Sequence, residues 1–171
     1  SIGHCSLYRY ASCPEWQRII PWAACPMNVG QDAFKKEICA QQVAISEVDA
    51  IWPLVAPEII KCLEKTPSYM TAADLWVMCR SGSAFMIAVH DGVEIKAASI
   101  WQFEGKNFIC LMLVGRQSER WIPALYEVAA QIARSGGATS LMASARMGLP
   151  KKLKKFIPSL KITRCTFSVE V

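Results

Sequence analysis

The stretch Phe108-Ile109-Cys110-Leu111-Met112-Leu113-Val114-Gly115 decides how this chain is read. Its apolar run carries no charge and stops at a glycine, which is the length and character of a strand buried on both faces. A short polar stretch follows, Arg116-Gln117-Ser118-Glu119-Arg120. Then Trp121, Leu125, Val128, Ala129 and Ile132 recur at helical spacing, so one apolar stripe faces a core. Pro123 is tolerated only in a first turn, which puts the helix start near Glu119 to Trp121. Ser135-Gly136-Gly137 ends it. A central strand thus runs through a short loop into an amphipathic helix.

Outward from this unit the pattern stays regular. On the N-terminal side, Val43 to Ile45 reads as a short strand. Ser46 reads as a helix cap, with Asp49 three residues on completing a capping box. Ile51, Leu54, Val55, Ile59 and Leu63 give that helix an apolar face, interrupted by Pro53 and Pro57. Thr71 caps a second helix, Ala72 to Cys79, stopped by Ser81-Gly82. Ala84 to Val89 and Val93 to Phe103 are strands joined by a His90-Asp91-Gly92 turn, and Glu104-Gly105-Lys106-Asn107 turns the chain into the central strand. On the C-terminal side, Thr139 to Ala143 is a strand, Lys151 to Phe156 a short basic helix, and Leu160 to Val171 a last strand. The order β-α-α-β-β-β-α-β-α-β predicts an α/β fold with one mixed central sheet and helices on both faces.

Composition narrows the function classes. With 171 residues, 53% hydrophobic and 19% charged, the chain suits one folded core and excludes a disordered or fibrous protein. No apolar run reaches the ~18 residues of a membrane helix, so no membrane partner is expected. Ser1-Ile2-Gly3-His4-Cys5 lacks the basic-then-apolar order of a secretory leader. The eight cysteines are scattered without a Cys-x-x-Cys pair and mostly sit in apolar stretches, as reduced core thiols do. His4, Cys5, Cys13 and Cys25 have no compact zinc spacing, and no metal is expected. The net charge of +5 is concentrated at one end. Arg146, Lys151, Lys152, Lys154, Lys155, Lys161 and Arg164 lie in a stretch free of acids, and the remainder of the chain is near neutral. Lys151, Lys152, Lys154 and Lys155 are candidates to touch a partner or a phosphate backbone, although a solvated helix face is the commoner outcome. Residues 1–40, rich in Pro, Trp and Cys, read as an ordered arm that packs on its own domain or on a partner. The regular domain spans 41–171.

The text from Val43 onward resembles the GNAT acyltransferase fold, in particular small GNAT-like proteins of tailed bacteriophages. The residues that carry the likeness are Ile51-Trp52-Pro53-Leu54-Val55, Leu113-Val114-Gly115, Trp121-Ile122-Pro123-Ala124-Leu125, Ala133-Arg134-Ser135-Gly136-Gly137 and Ala145-Arg146-Met147-Gly148-Leu149. The resemblance implies acyl-CoA binding where the central strand splays from its neighbour. Backbone N–H groups of the following loop and helix N-terminus would face the diphosphate. Here that assigns Val114, Gly115, Arg116, Gln117, Ser118, Arg120 and Trp121 as cofactor-binding candidates. The family's loop is richer in glycine, and only Gly115 is present here, while Glu119 opposes an anion and Arg116 and Arg120 offset it.

The family often places a tyrosine on the last helix as acid, where this chain has Phe156. His90, Glu94 and Glu104 on the meander are possible bases, His90 reading better as a turn residue, and Tyr126 reads as packing. With no acid/base pair evident, the expectation is a non-catalytic GNAT-like phage protein without a cofactor. It would be a structural or interaction component of the virion, held to other phage proteins or to itself by the arm. It would be found in the host cytoplasm and then in the particle. The alternative is an active N-acyltransferase that uses acetyl-CoA on a host or phage amine. Nucleic-acid binding through the basic helix is a third reading.

Overall fold

The structure, a computed structural model, describes residues 38–65, 69–144 and 154–157. Five strands form one sheet in the order β1-β2-β3-β4-β5: β1 Cys39–Gln42, β2 Phe85–His90, β3 Ile95–Glu104, β4 Asn107–Gly115 and β5 Ser140–Ala143. The first four are antiparallel neighbours, and β5 lies parallel to β4. Helices α1 Val48–Glu64 and α2 Ala72–Ser81 lie between β1 and β2 in sequence, and α3 Ser118–Ser135 lies between β4 and β5. The mixed α/β architecture expected from the sequence is present.

Each face of the sheet has its own core. Val48, Val55 and Ile59 of α1 and Leu75 and Cys79 of α2 pack on Met86, Ala88, Ala98, Ile100 and Val114. Trp121, Ile122, Leu125, Ala129 and Ala133 of α3 pack on Ile87, Val89, Ala97, Trp101 and Phe108 from the other side. Burying each large side chain contributes about 1.5–3 kcal/mol, so these two layers fix the sheet between helices. A stacked Trp101–Phe108 pair, with centroids 5.2 Å apart, and Phe103 at 4.5 Å from Phe108 fill the second core. The Trp101 indole donates to Ser99 Oγ at 2.7 Å, which satisfies two polar groups inside it.

Local details differ from the sequence reading for identifiable reasons. The first strand is Cys39–Gln42, not Val43 to Ile45, because Ile45–Glu47 forms a 3-10 turn instead. That turn delays α1 to Val48, and Ser46 makes no cap. Asp49 is used otherwise: its carboxylate accepts from Trp76 Nε1 at 3.1 Å and pairs with Arg80 at 3.3 Å, tying α1 to α2. The Thr71–Asp74 capping box does form. Helix α1 is continuous through Pro53 and Pro57, but Leu54 points outward and is 57% exposed. His90 belongs to β2, and the turn falls on the residues after it, closed by Asp91 Oδ1 accepting from the Val93 and Glu94 amides. Helix α3 begins at Ser118, so Pro123 stands in its second turn. Of the expected arm 1–40, residues 1–37 lie outside the described residues and Cys39 and Ala40 belong to β1, while most of the expected basic helix and the last strand also lie outside them.

Gly136, just past α3, sits against the aromatic core: a Cβ there would come within 2.2 Å of the Phe103 ring. That ring is held edge-on by Phe85 and tilted against Phe108, so it has little room to yield. Gly136→Ala is expected to lower stability by about 1–3 kcal/mol, the usual penalty of overpacking. Urea unfolding measures it.

Candidate functional site

Strand β4 holds two irregularities. Opposite β3, Trp101 faces Cys110 and Ile100 faces Met112, so Leu111 is an extra residue in β4. This bulge reverses the alternation of side chains. Phe108 and Cys110 face the α3 side, whereas Leu111 and Met112 both join the α1–α2 core. The Cys110 thiol bridges the irregularity by donating to the Met112 carbonyl at 3.3 Å. Burial pushes that thiol up to about 12, so it stays protonated.

The second irregularity is the loss of a neighbour. Strand β5 pairs only with Asn107 to Cys110, while β4 continues along β3 to Gly115. From Leu111 onward the β5-side edge of β4 has no strand partner among the described residues. This explains a departure from the sequence reading. A strand expected to be buried on both faces is half-buried at Ile109 and from Cys110 to Leu113. Along Leu111–Val114, the β5-side amide and carbonyl groups of β4 therefore make no ladder bonds to β5.

The loop at the end of β4 is built on close contact. Gly115 lies at φ 150°, and a Cβ there would stand 2.6 Å from the Ala97 Cβ and 2.9 Å from the Trp121 ring. Gln117, the residue before α3, takes φ 56° and ψ 53°. Its left-handed conformation makes the turn into α3. Arg116 and Gln117 are exposed, Ser118 half-buried and Arg120 exposed, whereas Val114 and Trp121 are buried below them. Trp121 therefore supports the loop from beneath. Its Nε1 donates to the Arg116 carbonyl at 2.7 Å, and the Arg120 amide donates to the Gln117 carbonyl at 3.0 Å. No side chain caps the N-terminus of α3.

Helix α1 brings charge to this loop that the sequence did not reveal. Lys61 donates to Glu58 at 3.0 Å and holds its carboxyl below the usual range, with Arg116 and Lys65 adding to the effect. Arg116 thus acts on the Glu58 carboxyl, a residue far away in sequence. Only the register of helix on sheet creates that interaction, so no local motif announces it.

The expected acid/base residues do not converge on the cleft. Glu104 pairs with Asn107 at the opposite end of β4, roughly 25 Å from Gly115 along the strand. His90 is at the near end but two strands away, buried, with Nδ1 accepting from the Gly92 amide at 3.2 Å. Glu94 and Asp91 bind Lys96. Tyr126 is half-buried on α3, and Phe156 is 39% exposed in a turn at 154–156. Lys154 and Lys155 are exposed in that turn, and Lys151 and Lys152 lie outside the described residues.

With this geometry in view, comparison with solved structures is informative about the fold. An aminoglycoside acetyltransferase from an uncultured soil metagenomic sample, in complex with sisomicin, superposes with a TM-score of 0.57 at 9% identity, over 78% of this chain and 96% of that one. A predicted acetyltransferase of Clostridium acetobutylicum with acetyl-CoA gives 0.55 at 9% identity, over 78% and 96%. A Trypanosoma brucei acetyltransferase gives 0.52 at 12% identity, over 79% and 100%. No protein-family model and no curated protein matches the chain in sequence. The fold is that of the GNAT acetyltransferases. The expectation of a non-catalytic virion component is corrected by these neighbours, which are acetyltransferases and carry no sign of a structural role in a particle.

Two outcomes follow from the geometry. Gly115→Ala is expected to lower stability by roughly 2–4 kcal/mol in urea unfolding, because it adds a clash to a backbone conformation L-residues avoid. Burial lowers the affinity of His90 for a proton, against an opposing pull from Asp91. The unfolded state then binds the proton more readily. Stability contributed by neutral His90 is complete above the unfolded value of 6.5 and is lost as pH falls below it toward the folded value. Unfolding at pH 7 and pH 5 should show that loss, and His90→Gln should flatten it.

Proposed function

We propose that this chain is an acyl-CoA-dependent N-acyltransferase. The observation that carries the proposal is the parting of β4 from β5 after Cys110, with the exposed N-terminus of α3 at the end of the opened strand. An extended thioester ligand would lie in that opening. Its diphosphate would meet the amides of the Gly115–Ser118 loop and the positive end of α3, with the exposed Arg116 and Arg120 favouring negative charge against Glu119. The residues present fit such a ligand. Gly115 leaves no side chain in the loop's way, and Gln117 supplies the turn that extra glycines supply elsewhere.

Acyl-CoA supplies an activated acyl carbonyl. In the transfer, the amine nitrogen of an acceptor bonds to that carbonyl carbon, the carbon–sulfur bond breaks, and the amine proton ends on the departing thiolate. Among the described residues, β4 and β5 carry no carboxylate and no histidine, and the Cys110 thiol stays neutral. The contribution of these strands is orientation, which alone is worth several kcal/mol of barrier. A bacteriophage source finds no support among the neighbours and is not needed for this reading.

Calorimetry with acetyl-CoA, followed by a thiol-release assay over a panel of primary amines, tests the proposal. Saturable heat at submillimolar ligand and amine-dependent release of free CoA are expected. No heat at millimolar acetyl-CoA would end it.

A further inference from the structure

The loop after β4 is unusual in how its carbonyl groups are disposed. A loop that receives an anion must present N–H groups and turn its carbonyl oxygens aside, because a carbonyl lone pair facing a phosphate oxygen repels it. Glycine gives a backbone the freedom to do so. Here Arg116 and Gln117 stand without that freedom, and two donors from the first turns of α3 act instead. The Arg120 amide takes the Gln117 carbonyl, and the Trp121 indole takes the Arg116 carbonyl at 2.7 Å.

The indole bond differs from the other in kind. The Arg120 amide, in the first turn of α3, makes a local backbone bond three residues back. Trp121 Nε1 reaches back five residues from a side chain that is itself 3% exposed, and its ring edge lies against Gly115 on the way. The ring is fixed by the α3-side core, which also contains Leu125 and Ala97. The donor is therefore pre-placed, and the Arg116 carbonyl has a buried partner that does not rotate away.

We infer that Trp121 is a positioning residue for the diphosphate of acyl-CoA, acting by holding the Arg116 carbonyl down so that the loop shows its amides to the ligand. This rests on the acyl-CoA reading and adds to it a specific group with a specific task. Trp121 does not touch the ligand; the amides and arginines above it do.

The experiment removes the indole N–H while keeping the ring. Trp121→Phe does this by mutation, and 3-benzothienylalanine at position 121 does it at almost unchanged volume should the phenylalanine variant unfold. Each protein is titrated by calorimetry with coenzyme A and with pantetheine, which has the same thiol arm and no diphosphate. The dissociation constant for coenzyme A is expected to rise about five-fold, the scale of one hydrogen bond, while that for pantetheine stays within two-fold. An equal loss for both ligands would overturn the inference, since a merely structural tryptophan would weaken the whole cleft. Unchanged affinity for coenzyme A in the variant would also overturn it and leave the acyl-CoA reading standing. Failure of the unaltered protein to bind coenzyme A would remove that reading and this inference together.

Discussion

Everything distinctive about this molecule depends on where β4 stops having two neighbours. Among the described residues, pairing with β3 continues to Gly115, whereas pairing with β5 ends at Cys110. A central strand with a bare half-edge is costly in a closed core, because its amide and carbonyl groups need partners and its apolar side chains need cover. The bulge at Leu111 manages part of that cost. It sends Leu111 and Met112 together into the α1–α2 core, where they are half covered. Among the described residues, the β5-side backbone edge of Leu111–Val114 has no strand partner.

The loop at the end of this strand solves a second problem with unexpected residues. Tight turns toward an anion are usually made by glycine because it accepts positive φ at no steric penalty. One glycine is used here for closeness, at Gly115, and a glutamine makes the left-handed turn. A left-handed non-glycine residue is disfavoured by about 1–2 kcal/mol and persists where surrounding contacts fix it. Those contacts are the Trp121 and Arg120 donors on either carbonyl and the Arg120 guanidinium at 3.4 Å from Gln117 Oε1. The left-handed turn into α3 is thus made without a second glycine.

Much of the fold could be read from the sequence, because its signals are local. The apolar run ending at Gly115, the Trp121–Leu125–Ala129 stripe and the Thr71 cap each report their own element, and each element formed. The features that open the site are not local. No glycine or proline marks the bulge at Leu111, and nothing in Phe108–Val114 says that β5 leaves after four pairs. The same limit misplaced Leu54, since a helical stripe gives a face but not how wide a cover the sheet offers. The action of Arg116 on Glu58 arises only when α1 is laid on the sheet.

The most direct measurement of the central claim is a crystal structure of the protein soaked with coenzyme A. The account predicts ordered density along Leu111–Val114 on the side that β5 vacates, with the diphosphate over the Gly115–Ser118 loop. Ligand density seated elsewhere on the sheet, or side chains filling the space between β4 and β5, would contradict it.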